Sequence, residues 1–322
     1  MKNRIWLIIK LIFGIGILII VVRTVDFQKF SSRIYSINYY LLFIVWLLYI
    51  FDRVLMAFKW NLLLHEVGVI IPLWQSIKIY YVGTLLGTFT PGNIGGDAYR
   101  IVALSNFKKN KIVASTLILE RIVGFSVLAT FAIALLPFSQ KILGINLEIN
   151  FGITILLIFV LGVFYLIIFY PLESIKIFLK LNAFQRFQIV KKINEAINVY
   201  SKNIQKKKLI YFVLLSTLEV VLIIYMNYLT SQALNIKVSF LFYLVTLPIL
   251  YILIRLPITV QGIGLQEGLW VYVLTLAGFA AADGLSLSLL LRLMQIFSIY
   301  LPAIIMMSIG SLKVKATTAL KC

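Results

Sequence analysis

Six stretches of this chain are long and apolar enough to cross a bilayer as helices, and that fixes the class of fold before any other feature is weighed. They cover residues 5–22, 39–58, 112–136, 151–170, 209–231 and 284–309. A helix needs about 20 mainly apolar residues to traverse the hydrocarbon, where only helices and closed barrels satisfy their own backbone groups. The period-two alternation of barrel strands is missing from the sequence. Hydrophobic residues make up 62% of the chain, against roughly 45 to 50% in soluble domains. The expectation is an all-α, polytopic integral membrane bundle with six full spans, forming a single domain over residues 1–322.

Four further apolar runs, 79–89, 98–104, 239–254 and 269–281, are too short or too interrupted to cross. They flank two glycine-rich breaks, "TPGNIGGDAYR" from Thr90 to Arg100 and "RLPITVQGIGLQEG" from Arg255 to Gly268. Irregular backbone is not tolerated against lipid, so both breaks belong against protein or a wet cavity. Glycine lets the chain turn, and Pro91 fixes a dihedral and removes a donor. Asn93-Ile94-Gly95-Gly96-Asp97 resembles Gly262-Ile263-Gly264-Leu265-Gln266-Glu267, and each has a proline and a threonine just upstream. Each pair of short runs therefore reads as a re-entrant hairpin or broken helix, with Gly83 and Gly87 allowing close helix packing.

Basic loops are retained in the cytoplasm, which places "NFKKNK" (106–111), the lysine-rich segment 171–208 and Lys313, Lys315 and Lys321 on that side. Apolar residues recur at spacings of three and four within 171–208, the pattern of a basic amphipathic helix lying on the membrane surface. The N-terminus has no small-residue cleavage site and reads as an uncleaved first span. Keeping it cytoplasmic requires the first hairpin to enter and leave from the inner side, and the second from the outer side, as in an inverted pair of broken helices. Residues 23–38 then form an outer loop. Both termini are expected in the cytoplasm, in a multi-pass protein of the plasma membrane.

The net charge of +19 lies in loops between spans, and its partner is anionic headgroups rather than nucleic acid. One cysteine, Cys322, and one histidine, His65, leave no material for a disulfide, a zinc site or Cys-His catalysis. No cofactor and no catalytic residue are expected. A phosphate-binding GxxxxGK loop is lacking, so ATP is not the direct energy source.

Past the first bend, Gly95, Gly96 and Asp97 open a half-helix whose amides suit an anion. Asp97 is placed to cap it, and Arg100 adds a fork of donors fitted to phosphate oxygens. Ionisable residues inside spans mark a polar pathway or an ion pair. Here they are Glu120 and Arg121, Glu219 and Arg292, while Asp52 and Arg53 read as snorkelling near one end of their span.

"FKWNLLLHEVG" (58–68), "TPGNIGGDAYR", "LERIVG" (119–124) and "GIGLQEG" (262–268) together resemble the lysylphosphatidylglycerol synthase transmembrane-region family, the flippase half of the multiple peptide resistance factor. Pro91, Gly92, Ile94, Gly95, Gly96, Asp97 and Arg100 match its first motif, Glu120 and Arg121 its Glu-Arg pair, and Gly262, Gly264, Glu267 and Gly268 its second glycine motif. Gln261 and Gln266 stand where a glycine and an arginine are common. The resemblance implies movement of polar-headed lipids between leaflets. The soluble synthase of the two-part factors is not expected here, so lysyl transfer by this chain is not expected either.

The substrate-binding set is Pro91, Gly92, Asn93, Gly95, Gly96, Asp97, Arg100, Glu120, Arg121, Gly262, Gly264, Glu267 and Arg292, with the arginines on phosphate and the acids orienting them or meeting a cationic head. Partners are membrane lipids with anionic headgroups; a homo-oligomer and a cell-envelope synthase partner stay open. Two other readings stand beside the flippase: a lipid-modifying membrane enzyme using Asp97 or Glu120 as base, and a non-transporting partner of a synthase or glycosyltransferase.

Overall fold

A computed structural model of the chain describes residues 2–88, 90, 94–105, 110–143, 206–255 and 258–308, together with 158, 162 and 165. Among the described residues the chain is helical and has no strand. The helices are α1 (Lys2–Arg23), α2 (Phe27–Tyr35), α3 (Tyr39–Glu66), α4 (Leu73–Thr88), α5 (Ile94–Ala103), α6 (Asn110–Leu143), α7 (Lys206–Ala233), α8 (Phe240–Ile254), α9 (Leu265–Leu276), α10 (Ala281–Gln295) and α11 (Leu301–Ser308). A π-turn, Ile296–Tyr300, joins the last two.

Four of these stretches are long and apolar enough to cross a membrane: Tyr39–Glu66, Asn110–Leu135, Lys208–Ala233 and Ala281–Ser308. They carry four of the predicted spans. Helix α1 covers a fifth and exposes Ile9, Ile12, Phe13, Ile19 and Ile20, as a lipid-facing surface does. The sixth span, 151–170, lies outside the described residues except at 158, 162 and 165. The surface helix expected over 171–208 and residues 106–109 of "NFKKNK" also lie outside them, apart from Lys206, Lys207 and Lys208, which open α7.

Helices α3 and α7 run antiparallel. Lys208 at the start of α7 pairs with Glu66 at the end of α3 at 2.6 Å, while the Asn38 amide before α3 donates to the Ala233 carbonyl at the end of α7 at 2.8 Å. The α4–α5 hairpin follows α3 and therefore starts from the Glu66 end. The α8–α9 hairpin follows α7 and starts from the Asn38 end. Each half reads long helix, broken hairpin, long helix, and the two halves point in opposite directions, which is the inverted arrangement the glycine motifs predict.

Local chemistry sets the corners. Asn38 accepts from the Leu41 amide at 3.2 Å and Ser239 from the Phe242 amide at 3.2 Å, side-chain caps that satisfy orphan donors at the starts of α3 and α8. The α3–α4 turn is tied by Asn61, whose amide donates to the Ile71 carbonyl (3.0 Å) and to Ser76 (2.7 Å). His65 reaches the same carbonyl at 3.0 Å. Residues 23–38 are not a plain loop: Asp26 caps α2, and Arg33 clips that helix to Asp283 at 2.7 Å.

Two close backbone approaches hold the hairpins. A Cβ on Gly83 would sit 3.2 Å from the Gly96 carbonyl oxygen and 3.0 Å from Arg100 Nε, so α4 and α5 touch through the missing side chain. Helix α1 crosses the second bend at Gly14, where a Cβ would lie 2.6 Å from the Ile263 carbonyl oxygen. The largest core cluster packs α6, α7, α8, α9 and α10 around Trp270, Tyr243 and Leu287.

Candidate functional site

The two hairpin tips touch. Gln261 Nε2 donates to the Gly87 carbonyl at 3.3 Å, across 174 positions of sequence. The second tip turns through left-handed backbone at Gln261 (φ 54°), Gly262 (φ 69°) and Gly264 (φ 77°), a region in which glycine carries no Cβ penalty. Glu267 accepts the Gly264 amide at 2.7 Å and pairs with Arg292 at 2.7 Å. Arg292 also donates to the Gly262 and Gln261 carbonyls at 3.3 and 3.4 Å. Glu267 and Arg292 thus brace the bend from behind. At the first tip, the Gly95 amide is met by the Thr90 hydroxyl at 2.8 Å, and Asp97, expected as the cap, directs its carboxylate to Arg121 at 2.5 Å.

A cavity of about 540 Å³ lies where the tips converge. Asp97, Arg100, Glu120, Arg121 and Gly262 from the predicted set line it. Gly95, Gly96, Gly264, Glu267 and Arg292 shape or brace the backbone around it. Pro91, Gly92 and Asn93 lie outside the described residues.

Arg100 is held in this cavity by aromatic rings and two carboxylates. It is 4% exposed, its guanidinium lies 3.8 Å from the centre of the Tyr80 ring and 5.7 Å from that of Trp60, and it faces Glu120 at 3.8 Å and Asp97 at 3.9 Å. Cation–π contacts contribute up to about 2 kcal/mol when desolvated, so the aromatic pair fixes the guanidinium in place. Tyr80 also donates to Glu120 at 3.0 Å. Arg121, by contrast, is half exposed at 49%.

Sequence reasoning passed over several lining residues. Lys59 is buried and bonded to Glu219, the intramembrane acid of α7, with Ser216 3.3 Å away. The signal was a lysine inside "FKWNLLLHEVG", where an apolar run does not need one. Arg255 and Thr259, at the second break, line the same cavity.

Asp52 and Arg53 correct an expectation. Asp52 is fully buried and occupies the middle of α3, because that helix runs on to Glu66 rather than ending near residue 58. The pair lines a second cavity of about 230 Å³, together with Tyr49, Tyr251, Gln261 and Gln295. Gln261 and Gln295 line both cavities.

The family model for the lysylphosphatidylglycerol synthase TM region matches residues 7–303. No curated protein matches the chain, and no solved structure does.

Proposed function

This chain belongs to the lysylphosphatidylglycerol synthase TM-region family, and on that premise we propose that it is a lipid flippase or scramblase. Its substrate is an anionic or aminoacylated phospholipid, or a polyprenyl-linked lipid, carried between leaflets of the plasma membrane with both protein termini in the cytoplasm. The observation that carries the reading is the contact between Gln261 and Gly87: two bends entering from opposite ends touch beside a charged cavity inside the bundle.

The physical problem of flipping is confined to the headgroup, since an unpaired charge in hydrocarbon costs tens of kcal/mol by ideal solvation estimates. The tails stay in lipid. A cavity lined by arginines and carboxylates supplies partners where the membrane has none. Arg100, held flat by Tyr80 and Trp60, is a fixed element of positive field. Arg121 is the adaptable one: its pair with Asp97 is half exposed, and pairs of that kind contribute only about 0 to 1 kcal/mol. Exchanging the Asp97 carboxylate for a phosphate therefore costs Arg121 little. The amides of Gln261 and Gln295 offer neutral donors and acceptors to a headgroup passing from one cavity to the other.

The test is reconstitution into vesicles containing fluorescent anionic, zwitterionic or prenyl lipids, with dithionite quenching as the readout. The protein accelerates transbilayer exchange of at least one class, and Arg100→Ala and Arg121→Ala both slow it. Failure of every lipid to move above protein-free vesicles overturns the proposal.

A further inference from the structure

Charge around the larger cavity is unevenly matched. Four cations, Lys59, Arg100, Arg121 and Arg255, face three carboxylates, Asp97, Glu120 and Glu219. Each carboxylate already has its cation: Glu219 is bonded to Lys59, Asp97 pairs with Arg121, and Glu120 faces Arg100. Arg255 is the remainder. Its side chain makes no hydrogen bond or ion pair among the described residues; it lies within electrostatic reach of Glu219, which is committed to Lys59.

Arg255 is exposed, so its guanidinium stands open to an anion entering the cavity. Two neighbouring donors are also unused. Thr259, 6% exposed, has a buried hydroxyl with no partner, and Arg100 Nε is buried without one. Both residues line the same cavity as Arg255. Buried polar atoms are nearly always satisfied, so orphan donors beside a surplus cation mark a place for an acceptor-rich anion.

We propose that Arg255, with Thr259, forms the anion subsite of this cavity and takes the phosphodiester of a lipid headgroup. This rests on the lipid-transport reading and narrows it. The surplus is a single positive charge, and a phosphodiester carries a single negative one. A lipid diphosphate would bring at least one further charge, and meeting it would take Arg121 from Asp97 and leave that carboxylate without its closest cation. Arg255 sits at the end of α8, where the chain enters the break, so one bend contributes the headgroup contact and the other contributes the fixed Arg100.

The experiment uses the full chain in detergent, with dihexanoyl phosphatidylglycerol, inorganic phosphate and a short-chain prenyl diphosphate as probes. Thermal stabilisation is titrated for the wild type, Arg255→Gln, Arg255→Lys and Thr259→Val. Dihexanoyl phosphatidylglycerol stabilises the wild type saturably. Loss of a charge-assisted contact weakens that binding at least about tenfold in Arg255→Gln, with Arg255→Lys intermediate and Thr259→Val weakened less. Without ligand, Arg255→Gln melts close to the wild type, because no hydrogen bond or ion pair among the described residues is lost.

Equal affinity in Arg255→Gln, a ligand-free Arg255→Gln that unfolds earlier, or no stabilisation of the wild type overturns the subsite. Equal stabilisation by inorganic phosphate assigns it to free phosphate instead of a lipid, and preference for the diphosphate refutes the charge match. Vesicle exchange read in parallel separates the two claims. Lipid movement unaffected in Arg255→Gln sinks the subsite and leaves transport standing, whereas binding without movement does the reverse.

Discussion

Replacing Gly264 by alanine tests whether α1 is seated on the second bend by backbone contact. The new Cβ would run into the Gly14 carbonyl of α1, lying 2.9 Å from its carbon and 3.1 Å from Ile17 Cβ. Neither obstacle is the end of a flexible side chain, so the helix itself has to move. Overpacking of that kind costs about 1 to 3 kcal/mol. Gly264 also has φ 77°, and a side chain in left-handed backbone adds about 1 to 2 kcal/mol. The two together predict a loss of about 2 to 5 kcal/mol in SDS titration of mixed micelles followed by tryptophan fluorescence. Gly14→Ala isolates the packing part, since its Cβ would meet the Ile263 carbonyl oxygen at 2.6 Å without any left-handed cost. It should lose about 1 to 3 kcal/mol. Gly16→Ala on the same helix meets nothing within 4 Å and should be neutral or stabilising by up to about 1 kcal/mol. If Gly264→Ala and Gly14→Ala match Gly16→Ala, α1 does not touch the bend and the packing described above is refuted.

Lys59→Met leaves Glu219 buried without its partner and should cost about 3 to 5 kcal/mol, whereas Lys59→Met with Glu219→Leu should recover most of that; additive losses in the same titration would show that the two side chains do not pair. Tyr80→Phe removes the hydroxyl donated to Glu120 and should destabilise by about 1 to 3 kcal/mol, with no change meaning that the bond is not made. Thr90→Val strips the acceptor from the Gly95 amide and should cost about 1 kcal/mol while Thr90→Ser costs less, so equal losses in the two variants would remove Thr90 as the cap of α5.

The long spans were legible because crossing length is a property of a local window. The breaks were legible because glycine and proline interrupt such a window visibly. Helix α2 was not: nine residues with mixed polarity carry no span signal, and its role depends on Asp283 far along the chain. The misplacement of Asp52 has a definite cause. Lys59 and Asn61 look like the aqueous edge of a helix, yet both are buried, with their partners Glu219 and Ser76 supplied by other helices. The helix therefore extends past them, and Asp52 shifts to its middle. Gly95 and Gly96 open α5 as their position after the bend implies, and Gly264 turns the chain into α9, but the Gly95 and Gly264 amides already have acceptors, which no spacing rule shows. The meeting of Gln261 with Gly87 depends on how two antiparallel halves dock, information that no window of sequence contains.

The two cavities share Gln261 and Gln295, so a partition between them would include carboxamide residues as well as helix backbone. Partitions of that construction open by torsion about side-chain bonds, on the nanosecond scale of rotamers, whereas rocking of whole helices takes microseconds to milliseconds. A leaf hinged on a few rotatable bonds needs no repacking of the core to swing, and the long helices can stay still while it does.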